Sequence, residues 1–274
     1  MRIFVAGASG AIGLPLVRQL AGAGYEVVGS TRGGTGAERI REAGGIAVPV
    51  DVFDRDQLIE AMTQASPDVV VNQLTSLPAR FEPKKKGFYD ANNRIRSEGG
   101  DNVIEATAAS GAGRLVTQSI SFLYELSGPK IKAEEEPVDR SGVHDAVLGH
   151  EKKALEDDRF ETVVLRYGLL YGPDTWYARD GRYGQAAFVG ALPATPAIAT
   201  FVHVHDAARA AVAALTWPAG IVNILDDTPA PGADWVPAFA AALGAPPPPK
   251  EPAPASGRTI SNARMHTLGF HLGH

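Results

Sequence analysis

Six short apolar runs punctuate the first two thirds of the chain: RIFVA (2–6), EVVGS (26–30), IAVPV (46–50), DVVVN (68–72), RLVTQS (114–119) and ETVVLR (161–166). Helix-length segments separate them. Runs that are apolar at consecutive positions, rather than at alternate ones, belong to strands covered on both faces. Their alternation with helices predicts an α/β fold, a doubly wound parallel sheet. Local signals mark the helix ends: Asp54 precedes RDQLIEAM, and Gly111 and Gly113 in ASGAG (109–113) stop a helix that begins near residue 90.

After about residue 170 the pattern loosens into YGPDTWYARDGRYG, ATFVHVHDAARAAVAAL, GIVNIL, a helix-like stretch at 232–243, and GAPPPPKEPAPA (244–255). Loops this rich in Gly, Pro and aromatic residues predict a smaller carboxyl-terminal lobe, residues 171–274, that closes over the ligand end of a main domain, residues 1–170, with some return of chain to the main sheet. The proline run reads as an extended connector.

Composition narrows the field. The 274 residues suffice for a sizeable core. The absence of cysteine removes disulfides, thiolate metal ligands and a Cys nucleophile, and fits a reducing cytoplasm. A net charge of −5, with one short basic run at Lys84–Lys86, argues against a nucleic-acid partner. No apolar stretch is long enough to span a bilayer and MRIFVAG is too short for a signal peptide, so a soluble, cytoplasmic protein without a membrane partner is expected.

The chemistry begins at Gly7-x-x-Gly10-x-x-Gly13, placed between the first strand and the helix AIGLPLVRQLAGAG. In that context Gly7 makes the tight turn, Gly10 admits a pyrophosphate to the backbone, and Gly13 packs helix on strand. Ser9, Ala11 and Ile12 supply the rest of the cradle. The second strand ends not in an acid but in Ser30, Thr31 and Arg32, a hydroxyl pair and a guanidinium that suit a 2′-phosphate. NADP is therefore expected over NAD. Asp51, followed by Val52, stands where a carboxylate receives the adenine amino group, or where it caps the next helix.

Five segments in order, GASGAIG (7–13), DVVVNQLTS (68–76), NNRIRSEGGDNVIEATAASGAGRLVTQS (92–119), VVLRYGLLYGP (163–173) and FVHVHDAARA (201–210), together resemble the extended and atypical short-chain dehydrogenase/reductase superfamily, in its NAD(P)-dependent epimerase/dehydratase-like branch. The resemblance implies a Rossmann dinucleotide-binding domain, Leu74 and Thr75 beside the cofactor ribose, Ser119 as the active-site hydroxyl, and the backbone of Tyr167, Gly168 and Leu169 against the nicotinamide. It implies hydride transfer between the nicotinamide and a carbonyl or alcohol carbon, with a Tyr-x-x-x-Lys pair as acid and base. Here the chain departs from the family pattern. In SGVHDAVLGHEKKALE (141–156), Lys152 precedes Glu156 with the family spacing, but Leu148 stands four residues before it, and the register of Lys153 gives Gly149.

Three substitutes for the missing phenol present themselves. Tyr124 follows Ser119 by five residues and is expected to project into the cleft, its other reading being a core or rim aromatic. His144 and His150 flank the vacant position. His203 and His205 alternate along a strand that enters a helix capped by Asp206, so no metal is expected there. Trp176, Tyr177, Arg179, Arg182 and Arg258 are the candidate substrate residues, suited to a planar or anionic small molecule. The long helix from about 90 and the 142–158 helix are faces through which such proteins form homodimers. Three functions stay open: an NADP-dependent oxidoreductase using Ser119, Tyr124 and Lys152 on a small carbonyl, alcohol or secondary metabolite; a non-redox enzyme on the same fold; and a non-catalytic NADP sensor.

Overall fold

The amino-terminal half repeats one unit, an apolar strand followed by a helix that lays its apolar stripe on the sheet. In the computed structural model, which describes residues 1–77, 86–128, 130–140, 142, 144–252 and 257–274, the units are β1 (Arg2–Ala6), α1 (Gly13–Gly22), β2 (Glu26–Thr31), α2 (Thr35–Glu42), β3 (Ile46–Pro49), α3 (Arg55–Ala65) and β4 (Val69–Asn72). The long helix near residue 90 is α4 (Asp90–Arg94), a π-helical turn (Ile95–Gly99) and α5 (Gly100–Ser110) in continuous succession. It ends at Gly111, whose φ of 74° is the left-handed cap expected of a glycine. Then come β5 (Arg114–Ile120), β6 (Ile131–Lys132), α6 (Asp145–Glu156), β7 (Glu161–Tyr167), β8 (Leu169–Tyr171), α7 (Arg182–Phe188), β9 (Ile198–Ala199), β10 (Phe201–His203), α8 (Val204–Ala213), β11 (Gly220–Ile224), β12 (Ala230–Pro231), α9 (Gly232–Leu243), β13 (Thr259–Ile260) and α10 (Ala263–Thr267).

Seven strands form one parallel sheet in the order β11-β7-β5-β4-β1-β2-β3. Both faces are covered: Ile3 and Val5 pack into a core with Leu16 and Leu20 of α1 and Ala207 and Ala211 of α8, whereas Phe4 and Ala6 pack with Leu58 and Met62 of α3 and Val103 of α5. That two-sided burial is why the strands read as unbroken apolar runs. The strand order reverses between β1 and β4, the switch point beyond whose carboxyl strand ends open α/β sheets bind their ligands.

The carboxyl-terminal half does not stay apart. GIVNIL supplies β11, hydrogen-bonded to β7, and α8 packs against α1, where the Gln19 amide donates to the His205 carbonyl at 3.2 Å. The remainder builds a small lobe around short strand pairs, β8 with β10 and β9 with β12, while β13 pairs back with β6 of the preceding half. Its core is aromatic: Tyr177 stacks on Tyr183 at 4.5 Å and meets the edges of Phe201 and Trp235. None of the described helices is long and apolar enough to cross a membrane. Lys84 and Lys85 of the basic run, and residues 253–255 of the proline connector, lie outside the described residues.

Candidate active site

The glycine loop is shaped by what it leaves out. Gly7 adopts φ +80°, and a Cβ there would lie 2.8 Å from the Gln73 carbonyl; a Cβ on Gly13 would collide with the Gly7 carbonyl. Gly10 is exposed, and its N–H donates to the Gly7 oxygen at 3.1 Å. Helix α1 starts directly after the loop, at Gly13, without a side-chain cap, which leaves the positive end of its dipole next to the glycines. An uncapped helix start beneath an open glycine cradle fits a dinucleotide pyrophosphate.

At the end of β2, Ser9 Oγ and Thr31 Oγ1 lie 3.4 Å apart, and Gly36 keeps the space beside both clear: a Cβ on it would sit 2.5 Å from the Thr31 hydroxyl. Arg32 follows Thr31 in the chain and is exposed. Asp51 does not cap α3; its carboxylate accepts from the Phe53 N–H at 3.0 Å, and the cap is Asp54, which accepts from Gln57 N at 3.1 Å. Val52 is buried, its carbonyl accepting from Asn102. Leu74 is buried at the end of β4 and Thr75 is exposed beyond it. Tyr167, Gly168 and Leu169 lie where β7 gives way to β8; a Cβ on Gly168 would come within 2.8 Å of the Thr200 carbonyl, and the Tyr167 hydroxyl is held between Gln73 and the Ala207 carbonyl.

The expected acid–base helix is turned differently from its sequence register. The stripe that α6 buries is Val147, His150, Glu151 and Ala154, at the three- and four-residue spacing of one helix face. Lys152 falls one step off that stripe: its side chain is 71% exposed, 4.0 Å from Glu156, and its ammonium is not brought to Ser119. The carboxylate of Glu151 is what reaches the strand instead. It accepts a short hydrogen bond from the Ser119 hydroxyl and a bidentate pair from Arg166, Nε at 2.9 Å and Nη2 at 2.7 Å. Ser119, Arg166 and Asn223 are register partners across β5, β7 and β11. Tyr124, fully buried, closes the row: its hydroxyl donates to Asn223 Oδ1 at 2.7 Å and accepts from Arg166 at 2.9 Å. Burial raises the Tyr124 phenol above its ordinary value, with Arg166 opposing that shift. Rather than projecting into the cleft, Tyr124 takes the core-aromatic role, because a buried arginine needs every acceptor within reach.

His150 is buried against Thr117, Nε2 to Oγ1 at 2.8 Å, and burial with the nearby Arg96 charge pushes its pKa down to about 4, so it is a neutral imidazole at neutral pH. His144 is the N-cap residue of α6, its Nδ1 3.2 Å from the Asp139 carbonyl oxygen. On the substrate side, Arg258 reaches the loop after β5, where its Nη1 donates to the Phe122 carbonyl at 3.4 Å; the hydroxyl of the preceding Ser121 is buried without a hydrogen-bond partner among the described residues. Arg179 is tied to the Leu243 carbonyl and lies over Phe188, while Trp176, Tyr177 and Arg182 belong to the small lobe's own packing.

The histidines behave otherwise than as an alternating strand. His203 caps α8, His205 lies in its first turn, and Asp206 is buried in that turn, accepting from the N–H groups of Gly273 and His274. This brings His203, His205 and His274 together, with one ligand atom of each within 4.8 Å of the others. His203 Nδ1 accepts from the His205 N–H at 3.3 Å, which leaves the ring proton on Nε2, and His274 stacks on His203 at 4.1 Å. In this tautomer His203 offers no free lone pair, and the cluster ties the last turn of chain to α8.

Glu151, Arg166, Asn223 and Arg96 are the residues that motif reading misses. One signal is present: an arginine inside VVLRY, a strand covered on both faces, requires a buried partner.

A sequence model of the NAD dependent epimerase/dehydratase family matches residues 3–224. The chain is 40% identical, over 98% of its length and 90% of the relative's, to the 3-diazoavenalumate denitrifying reductase of a Streptomyces species. Among solved structures it superposes on UDP-glucose 4-epimerase of Thermus thermophilus in complex with NAD (TM-score 0.79, 23% identity, 99% of this chain and 94% of that one). It superposes likewise on WbmH of Bordetella bronchiseptica in complex with NAD+ (TM-score 0.82, 21% identity, 100% and 94%).

Proposed function

The chain belongs to the NAD-dependent epimerase/dehydratase family, and from that premise we propose that it is an NADPH-dependent reductase of an aryl diazo compound, an electrophile whose reduction does not call for a phenol proton donor. The observation that carries this reading is the engagement of Ser119 by Glu151, itself held by Arg166, with Tyr124 locked behind them and Lys152 in solvent. A carbonyl reduced by hydride becomes an alkoxide and needs a proton within hydrogen-bond reach. An aryl diazonium ion does not: the C–N bond breaks with its electron pair leaving in dinitrogen, and a C–H bond forms.

When bound, NADPH would supply the hydride, both electrons of that new C–H bond, and would be released as NADP+. The chain's own residues then bind, orient and keep out water. The glycine loop and the start of α1 would hold the pyrophosphate, and Ser9, Thr31 and Arg32 would receive the 2′-phosphate. The relative that acts on 3-diazoavenalumate, at 40% identity across nearly the whole chain, supports the same chemistry here.

The test is a paired assay of the purified protein. With a hydroxyaryl diazonium substrate, NADPH is consumed one for one with arene formed and dinitrogen released, and a panel of ketones and aldehydes stays inert. Ser119→Ala keeps turnover within about tenfold, whereas a proton-relaying hydroxyl would cost about 10²–10⁴-fold. Turnover of ketones with no reaction of the diazonium compound sinks the reading.

A further inference from the structure

Arg96 is buried, 6% exposed, in the π-helical turn between α4 and α5. Such a turn adds one residue to the helix and is a recurrent means of re-aiming a side chain at a functional site. Among the described residues its guanidinium makes one hydrogen bond, Nη2 to Gln118 Oε1 at 3.3 Å, while its Nε–H is buried without an acceptor and no carboxylate is in ion-pair contact with it. Gln118 in turn donates to the Leu74 carbonyl at 2.7 Å, across the ends of β4 and β5. Arg96 therefore rests on the carboxyl edge of the sheet, next to the strand end against which Gly7 packs.

The acid that faces it is committed to another cation. Glu151 is the acid that interacts electrostatically with Arg96, and both its oxygens are already taken by Arg166, with Ser119 adding a third donor. His150, the other titratable neighbour, is neutral. Glu151 is thus committed to Arg166, and among the described residues Arg96 has no carboxylate of its own. A buried cation without a counterion is costly to a fold, and an anion brought by a ligand would relieve that cost.

We propose that Arg96 is the receptor for an anionic oxygen of the substrate, carboxylate or phenolate, which supplies the counterion that Arg96 lacks and sets the electrophile at the carboxyl edge of the sheet. The proposal rests on the reductase reading for the reaction alone; the anion subsite has its own readout in binding.

The probes are 4-hydroxycinnamate, its methyl ester and its 4-methoxy analogue, titrated calorimetrically into protein saturated with NADP+. The acid binds wild type. Arg96→Met weakens it about 10- to 100-fold, the scale of a lost hydrogen bond to a charged group, and Arg96→Lys, which keeps the charge, retains more affinity than Arg96→Met. The analogue that loses affinity in wild type identifies the oxygen: the ester if it is the carboxylate, the ether if the phenolate. NADP+ affinity is unchanged in Arg96→Met, and its ligand-free thermal midpoint equals or exceeds that of wild type, because an uncompensated charge has been removed. The proposal is overturned if wild type binds no probe, if Arg96→Met binds the acid as wild type does, or if both neutral analogues bind as tightly as the acid. It is overturned equally if Arg96→Met lowers the thermal midpoint or NADP+ affinity, since Arg96 is then structural. Probe binding lost in Arg96→Met together with inert diazonium substrates leaves the subsite standing and removes the reductase reading.

Discussion

The glycine loop and the polar row beneath α6 approach the carboxyl edge of the same sheet and are built in contrasting ways. The loop is made by omission: Gly7 and Gly13 stand where a Cβ would strike backbone, and the work is left to N–H groups. The row is made by accumulation, with Ser119, Glu151, Arg166, Tyr124 and Asn223 each less than a twentieth exposed and each the partner of another. A loop of this kind is sensitive to added volume and indifferent to charge. The row should be the reverse.

Charge is therefore the way to break it. Glu151→Ala leaves Arg166 buried with only Tyr124 and the Glu134 carbonyl as acceptors, and is expected to cost about 3–5 kcal/mol of stability. Replacing both members, Glu151→Leu with Arg166→Met, restores most of that loss, since apolar side chains of similar volume are tolerated where the pair was. Urea denaturation of the single and double variants measures both. A single variant that loses less than about 1 kcal/mol would mean the pair behaves like an exposed ion pair, and the contrast with the loop would fail.

A second break uses pH. His150 lies on the same buried face of α6, held at a pKa of about 4 against an ordinary 6.5 by burial first and by the Arg96 charge second. Between those values the unfolded chain binds a proton that the folded chain refuses. The contribution is thus complete above pH 6.5 and disappears as pH falls to 4, a loss of about 3 kcal/mol at one proton over that interval. His150→Gln is expected to flatten that acid limb of the stability profile. Parallel profiles for variant and wild type would show that the acid sensitivity arises elsewhere.

These two regions also differ in how far the sequence exposes them. The loop is legible because everything it needs lies within ten residues of one strand, and the six apolar runs place that strand and its neighbours to within a residue or two. The row joins residues 15 to 99 positions apart, and no spacing rule connects Tyr124 with Asn223 or Glu151 with Arg166. Even the helix that bears it misleads, because Lys152 keeps a familiar spacing to Glu156 while the buried stripe runs through Glu151. One step along a helix is 100° around it, enough to exchange an exposed ammonium for a buried carboxylate. GIVNIL is hard to place from sequence for a related reason: an edge strand gets its identity from the partner β7, not from its own composition.

The smallest expected effect sharpens the comparison at the rim of the loop, where geometry gives way to charge. Arg32 follows Thr31 in the chain and is exposed, so Arg32→Ala costs the loop nothing in shape. If the guanidinium receives a 2′-phosphate, the variant weakens NADPH by roughly 1 kcal/mol, five- to tenfold, as expected of a solvent-screened contact. NADH, which lacks that phosphate, binds as before. The difference between the two cofactors, read from the quenching of protein fluorescence, should also shrink as salt is raised, since an exposed charge pair is screened and a backbone cradle is not. Equal losses for NADPH and NADH would move Arg32 off the 2′-phosphate and leave the choice of cofactor to the Ser9–Thr31 hydroxyls alone.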